Sequence, residues 1–236
     1  MILGIDGRLA NEEKRAGVGV YCSEVLRALH HLGDEVTLRI YLDERPRSFF
    51  PLHGDAAEYV LLPKTRFWTH RALGASLKQS PPDAFWSPVL SVPHGARCRC
   101  IATAHDLAFL TFKDHFTWRK RTEATLQARH AIKHAAHLVA DSECTGRDLE
   151  AVLRVPREKI TVAPLGCARA FSMPMSPIAA EATLRKHKIA MPYILYVGRI
   201  QPRKNLPRLI EALSSVVAKQ PRLKHRLVIA GEDSWM

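Results

Sequence analysis

Three stretches of this 236-residue sequence combine residue types and spacings that suit chemistry on an anion. The first is Gly198-Arg199-Ile200-Gln201-Pro202-Arg203-Lys204-Asn205. It follows an apolar run, Tyr193 to Val197, and opens a helical pattern from Leu206 to Ala218. Ligands of α/β proteins bind at the carboxyl ends of strands, which is where such a loop lies. Arg199 offers a planar fork of donors and Lys204 a point charge, so the two could converge on one diphosphate. A solvated basic turn is the plainer alternative. The sequence has no Gly-x-x-x-x-Gly-Lys-Ser/Thr, so this is not a Walker loop.

The second stretch is Gly17-Val18-Gly19-Val20-Tyr21, ahead of a helical pattern expected over Val20 to Leu32. Glycines let backbone N–H groups approach a phosphate, and a helix N-terminus adds partial positive charge. A dinucleotide fingerprint would want a third small residue where Cys22 stands, and a tight turn where Arg8 to Gly19 forms a long polar loop. That argues against a dehydrogenase and leaves a flexible loop before a helix as the plain reading. The third stretch, His105-Asp106, ends an extended run from Arg99 to Ala104. A metal phosphohydrolase would need further His and Asp partners at helical spacing, and none is evident. A structural histidine satisfied by a neighbour is the alternative.

These groups need a scaffold. Short apolar runs read as strands at Ile2 to Ile5, Glu35 to Tyr41, Tyr59 to Leu62, Ala84 to Trp86, Arg99 to Ala104, His137 to Ala140 and Lys159 to Val162. Helical patterns alternate with them at Val20 to Leu32, His70 to Gln79, Trp118 to His134 and Glu143 to Leu153, the last capped by Ser142. Strands alternating with helices predict an α/β fold with a parallel sheet covered on both faces. Ser172 to Pro177 is too Met- and Pro-rich for a regular element, and only Glu181 to Lys188 reads as helical before the next strand. Residues 1–167 are therefore expected to form one lobe, 168–191 a linker, and 192–236 a strand–helix–strand unit, with strands over Tyr193 to Val197 and Leu227 to Ala230.

Composition narrows the class. Apolar residues are 47% and charged residues 25%, as in ordinary globular proteins. Lys and Arg outnumber Asp and Glu by 35 to 23, a net charge of +12, which predicts an anionic partner. The cations are dispersed and no nucleic-acid signature is present, so nucleic acid is not the expected partner. Cys22, Cys98, Cys100, Cys144 and Cys167 are odd in number and scattered, which suits a reducing compartment rather than a disulfide framework or a zinc site. Nothing reads as a signal peptide or a membrane span, so a cytoplasmic location is expected. Two stretches, Lys64 to Arg71 and Phe112 to Arg121, mix rings with cations. They suit peripheral contact with an anionic membrane; an ordinary solvated helix face with a few buried rings is the alternative.

The run Tyr193 to Leu206, continuing through Leu209-Ile210-Glu211-Ala212 to Leu227–Gly231, resembles the start of the donor-binding lobe of retaining GT-B glycosyltransferases of family 4, the mannosyltransferase-like group. Asp6-Gly7-Arg8, Gly17-Val18-Gly19, Thr103-Ala104-His105-Asp106, Val139 to Glu143 and Ile160 to Gly166 resemble that family's first lobe, in its order and spacing. The resemblance implies one complete Rossmann-like lobe and the first strand–helix–strand unit of a second. It implies that Gly198, Arg199 and Lys204 bind the diphosphate of a nucleotide sugar, that the Gly17 and Gly19 loop closes on the same phosphates, and that His105 faces the donor sugar. It implies no metal or other cofactor, and transfer of a hexosyl group, mannose among the candidates, to a glycan or lipid-linked acceptor with retention, in cell-surface polysaccharide synthesis.

The family's Glu-x₇-Glu element is expected beyond residue 236. Glu150 and Glu158 have that spacing, but they straddle Val155-Pro156 and read as surface carboxylates. Two strands and one helix cannot cover a sheet, so the sequence is expected to be a fragment, a truncated reading frame or half of a split protein, with little activity of its own. A non-catalytic lobe that binds glycan or lipid phosphate, or a split-enzyme subunit, is the competing expectation.

Overall fold

The computed structural model describes residues 1–33, 35–168 and 171–232. The chain divides into two units, Met1–Leu165 and Gly166–Met236.

Seven strands build the first unit: β1 (Ile2–Asp6), β2 (Thr37–Leu42), β3 (Glu58–Leu61), β4 (Ala84–Ser87), β5 (Arg99–Ala104), β6 (His137–Ala140) and β7 (Ile160–Val162). All pair in parallel, in the order β3-β2-β1-β4-β5-β6-β7. The order reverses direction between β1 and β4. At such a switch point the loops leaving neighbouring strands diverge to opposite faces and open a crevice at the carboxyl edge.

Strands buried on both faces need apolar residues throughout. Leu3, Ile5, Leu38, Ile40, Leu42 and Trp86 pack on one face, with Cys22 and Leu26 of α1 (Gly17–His30). Tyr41, Phe85, Ala102, Leu138 and Ile160 pack on the other. Leu77 of α2 (Gly74–Gln79), Ala131 of α4 (Trp118–His134) and Leu149 of α5 (Glu143–Leu153) cover that second face. A single turn, α3 (Ala108–Thr111), follows β5.

Helix α1 starts three residues before the expected Val20, so Gly17 and Gly19 lie in its first turn instead of a loop. Gly19 explains why the helix can begin there. A Cβ on it would stand 2.5 Å from the Leu9 carbonyl oxygen, so only glycine lets the turn after β1 lie against the helix. Nothing stands within 4 Å of where a Gly17 Cβ would be. The expected long polar loop also holds a 3₁₀ turn, Arg8–Asn11. Helix α2 is entered through a wide π turn, Thr69–Leu73.

The second unit holds α6 (Pro177–Lys186), β8 (Tyr193–Val197), α7 (Leu206–Lys219) and β9 (Arg226–Ala230). Helix α6 begins four residues before the expected Glu181. Ser176 accepts a hydrogen bond from the Ala179 amide at 3.2 Å, and Pro177 fits the first helical position, where no amide is needed. Strands β8 and β9 pair in parallel, from Tyr193 opposite Arg226 to Val197 opposite Ala230. Their carboxyl ends approach so closely that a Cβ on Gly231 would run into the Gly198 carbonyl.

Candidate functional site

The carboxyl edge of the first unit's sheet gathers polar side chains from four strands. Burying them there is possible because each finds a partner. At the end of β1, Asp6 takes a bidentate grip from Arg8, at 3.0 and 2.8 Å. The same guanidinium donates to Thr69 Oγ1 at 2.9 Å and lies 3.8 Å above the Trp68 ring. Trp68, one of the rings expected at a membrane surface, is therefore buried inside the lobe, at 4% exposure. Its stretch is interrupted at that point by tertiary packing under Arg8, while Phe67 beside it stays exposed.

His105 follows β5, and Asp141 follows β6. The two meet at 3.0 Å between Nδ1 and Oδ2. On its other side the imidazole places Nε2 2.8 Å from the Pro88 carbonyl at the end of β4. Both ring nitrogens thus face acceptors, and the ring sits between the ends of β4, β5 and β6. Thr145 completes the mount. Its hydroxyl lies 3.0 Å from the His105 carbonyl and 3.3 Å from Asp141 Oδ1, and its amide donates to Ser142 at the cap of α5.

Tyr21, in α1, meets the His105 ring edge-on at 4.9 Å between centroids. Its hydroxyl is 3.3 Å from Thr103 Oγ1, which accepts from the Trp86 indole at 3.0 Å. Burial holds the Tyr21 phenol above its ordinary pKa of 10, with nearby Asp141 pushing in the same direction. Gly17 and His105 are thus joined through α1: the exposed first turn of that helix sits one turn before the tyrosine that touches the imidazole.

Sequence reasoning singled out His105 but gave no role to Tyr21, Thr145 or Asp141. Asp141 carried the available signal, since it follows a buried strand as His105 does. Beside this group lies a cleft of about 460 Å³, with Asp6, Arg8, Asp43, Lys64, Ser91 and Gln127 among its lining residues.

In the second unit, Gly198, Arg199 and Lys204 follow β8. Arg199 and Lys204 are exposed, and neither has an ion-pair partner among the described residues. Lys204 ends a 3₁₀ turn, and Asn205, in the left-handed conformation at φ 52°, starts α7. Lys204 therefore immediately precedes the cap of a 14-residue helix, whose free amides favour an anion, and Arg199 lies earlier in the same β8–α7 connection. Glu150 pairs with Arg157 at 3.6 Å on the first unit's surface, while Glu158 lies past the end of α5 in a 3₁₀ turn. The helix ends at Leu153 ahead of Pro156, so the two glutamates do not share a helical face.

Cys100 is buried, Cys98 half-buried, and all five cysteines are free thiols. Among the described residues no His, Cys, Asp or Glu group is arranged to hold a metal ion, and no helix is long and apolar enough to cross a membrane.

Comparison with known proteins follows the same lines. O-antigen chain mannosyltransferase B of Escherichia coli is 23% identical over 237 aligned positions, covering 93% of this chain and 61% of that protein. A D-inositol 3-phosphate glycosyltransferase of Thermobispora bispora is 30% identical over 105 residues, 44% of this chain and 24% of that one. The chain thus spans 61% and 24% of the length of these two relatives. Among solved structures, Anabaena HepE in complex with UDP-glucose superposes with a TM-score of 0.61 at 14% identity, over 97% of this chain and 68% of that one. Sucrose-phosphate synthase of Thermosynechococcus elongatus gives 0.64 at 15% identity, over 98% and 62%. These two share the fold, an α/β architecture of the GT-B type. Residues 15–169 match the sequence model of Glycosyltransferase Family 4. That match spans more than half of the chain and takes in α1, the His105 mount and the β6–α5–β7 unit: the chain belongs to Glycosyltransferase Family 4.

Proposed function

We propose that this protein works in the transfer of a hexosyl group, mannose first among the candidates, from a nucleotide diphosphate sugar to a glycan or lipid-linked acceptor. Retention of anomeric configuration and a role in cell-surface polysaccharide synthesis are part of the proposal. One observation carries it. In a chain of this family, Arg199 follows the carboxyl end of β8 and Lys204 precedes the amino end of α7, and neither has an ion-pair partner among the described residues. A departing nucleoside diphosphate accumulates negative charge, and fixed cations lower the cost of that charge. Gly198 keeps the backbone slim beside them. Gly17, exposed at the first position of α1, turns its backbone amide toward the same kind of group in this reading, with Gly19 holding that turn against Leu9.

His105 is assigned to the donor-sugar side. Its ring is held by Asp141 and Pro88, so it acts as a fixed wall and carbonyl anchor, not as a mobile base. The chemistry proposed requires no metal or other cofactor, because the charge stabilisation comes from Arg199, Lys204 and helix amides. The mannosyltransferase relative supports mannose as the sugar.

Peripheral contact with the inner face of a membrane belongs to the same reading. The first two turns of α4 carry exposed Trp118 beside Arg119, and Phe112 precedes them, exposed. Co-sedimentation with phosphatidylglycerol vesicles at low salt, lost in Trp118→Ala, is expected; a protein that ignores such vesicles removes this part.

Calorimetric titration with GDP, UDP and their hexose conjugates tests the main reading. Binding that disappears in the Arg199→Ala, Lys204→Ala double variant is expected. Absence of binding to all of them leaves a lobe that holds acceptor alone.

A further inference from the structure

Cys98 and Cys100 are thiols that the proposed transfer leaves unused, and they stand at the opposite end of β5 from His105. Cys100 is 2% exposed and fixed in the sheet. It pairs with Phe85 of β4, and its carbonyl accepts from the Ala136 amide at 2.7 Å. Cys98 is half-buried and precedes Arg99, the first residue of β5 to pair with β4. Both cysteines line a cleft of about 480 Å³, together with His94, His130 and His134. A neighbouring cleft of about 610 Å³ shares the two cysteines and adds Arg97 and Arg99.

The two thiols interact, and they are made unequal by it. The Cys100 Sγ lies 3.6 Å from the Cys98 carbonyl. Hydrogen bonding with Cys100 holds the Cys98 thiol below its ordinary value, against the effect of burial. The same bond, then burial and the Cys98 charge, pushes the Cys100 thiol up. A thiol that is partly exposed, ionises more easily than usual and has a second thiol beside it has the attributes of a redox-sensing cysteine. The backbone allows the pair to join. Two residues of extended chain span about 6.4–6.8 Å, the top of the Cα separation that a disulfide bridges. A small closure at Cys98, outside the ladder, suffices, and a bridge made at that limit is readily reduced again.

We propose that Cys98 is a site of reversible oxidation by hydroperoxides, with Cys100 as the resolving thiol that closes a disulfide. The Cys98 thiolate attacks a peroxide oxygen. The O–O bond breaks, the sulfur is oxidised to a sulfenic acid, and the peroxide is reduced and leaves as water or an alcohol once protonated. Cys100 sulfur then displaces the hydroxyl group. An S–S bond forms, the S–O bond breaks, and the hydroxyl leaves with the Cys100 proton as water. The first step removes the Cys98 charge that had kept Cys100 protonated, so the resolving thiol ionises when it is needed. Two electrons from an added thiol restore both cysteines.

The test treats the whole, fully reduced 236-residue chain with hydrogen peroxide and maps its peptides by mass spectrometry. A bridge between Cys98 and Cys100 is expected, with a loss of two hydrogen atoms that dithiothreitol reverses. Burial pushes the Cys22 thiol up, so Cys22 is expected to stay reduced. The exposed Cys144 and Cys167 are replaced by serine in a second sample, where the bridge is expected to persist. Before oxidation, iodoacetamide should modify Cys98 at least about tenfold faster than Cys100. In Cys100→Ser the oxidation should stop at a Cys98 sulfenic acid, trapped by dimedone; in Cys98→Ser neither the adduct nor the bridge should form. The wild-type chain decides the matter without any variant. Cys98 left unreacted, Cys98 oxidised without bridging to Cys100, or either thiol paired with another cysteine instead overturns the proposal.

Discussion

Strands β1 and β8 are both five-residue apolar runs that open a strand–helix–strand unit, yet β1 buries four of its five residues and β8 none. Ile5 is fully buried, while Leu195 is 51% and Val197 73% exposed. The sequences differ little in hydrophobicity; their surroundings differ. β1 has a hydrogen-bonded strand on each side and an apolar layer over each face, whereas among the described residues β8 pairs with β9 alone. Apolar character is a property of the residue, but burial free energy scales with the area that neighbours cover. The candidate chemistry divides in the same way. The first unit's groups are locked in networks around His105, Asp141 and Arg8, while the second unit offers Arg199 and Lys204, exposed and without an ion-pair partner among the described residues.

The comparison can be broken with paired substitutions, the largest effect first. Leu138→Ala, in the fully buried centre of β6, should cost about 2–5 kcal/mol by urea denaturation, whereas Leu195→Ala should cost under about 0.5 kcal/mol. Equal losses would mean that the strands are buried alike. Next come the two glycines of α1. Gly19→Ala drives a methyl into the Leu9 carbonyl and should cost about 1–3 kcal/mol, while Gly17→Ala meets open space and should be neutral or slightly stabilising in a thermal melt. Nucleotide affinity should nonetheless fall in Gly17→Ala, under the proposal that ligand phosphate approaches that turn.

A pH effect should follow, confined to the first unit. Four imidazoles cluster there: His70 stacks on His94 at 4.1 Å between centroids, His94 meets His130 edge-on at 4.0 Å, and His134 lies tilted against His130 at 4.4 Å. Burial, then the neighbouring His94, His134 and His70, lowers the His130 pKa to about 4; burial and His94 lower that of His70. Unfolded imidazoles protonate near 6.5, so between pH 6.5 and about 4 the unfolded chain holds more protons. Stability should therefore fall as pH falls through that window and be flat above it. The thermal midpoint at pH 5 against pH 7.5 reads this, and His130→Asn should shrink the difference. The smallest effect should come from Glu58→Gln at the sheet edge, where the 2.8 Å pair with Arg39 is partly exposed: under about 1 kcal/mol, and less at high salt.

Strand positions were legible because β5, β6 and β8 are compact apolar runs bounded by breakers, and Ser142 marks the start of α5 as a cap should. Helix starts were less legible where no side chain caps them. Ala16 gives no cue before α1, and the reason the helix accepts Gly17 to Gly19 is a carbonyl ten residues earlier in the chain. The site was half legible. His105 and the Arg199–Lys204 pair stand out by type and by place after a strand. The mates of His105 come from β4, β6 and α1, and no local pattern links Pro88, Asp141 and Tyr21.

The sequence by itself determined the alternation of strands and helices, and the glycines and cations that follow strands, because these are set by local periodicity and backbone freedom. Tertiary structure alone decided that Trp68 goes inside under Arg8, that both nitrogens of His105 face acceptors, and that Asp43 and Ser91 line the same cleft. Each of those depends on which chain segments the order β3-β2-β1-β4 brings side by side, and hydrogen bonding and burial act across space without regard to distance along the chain.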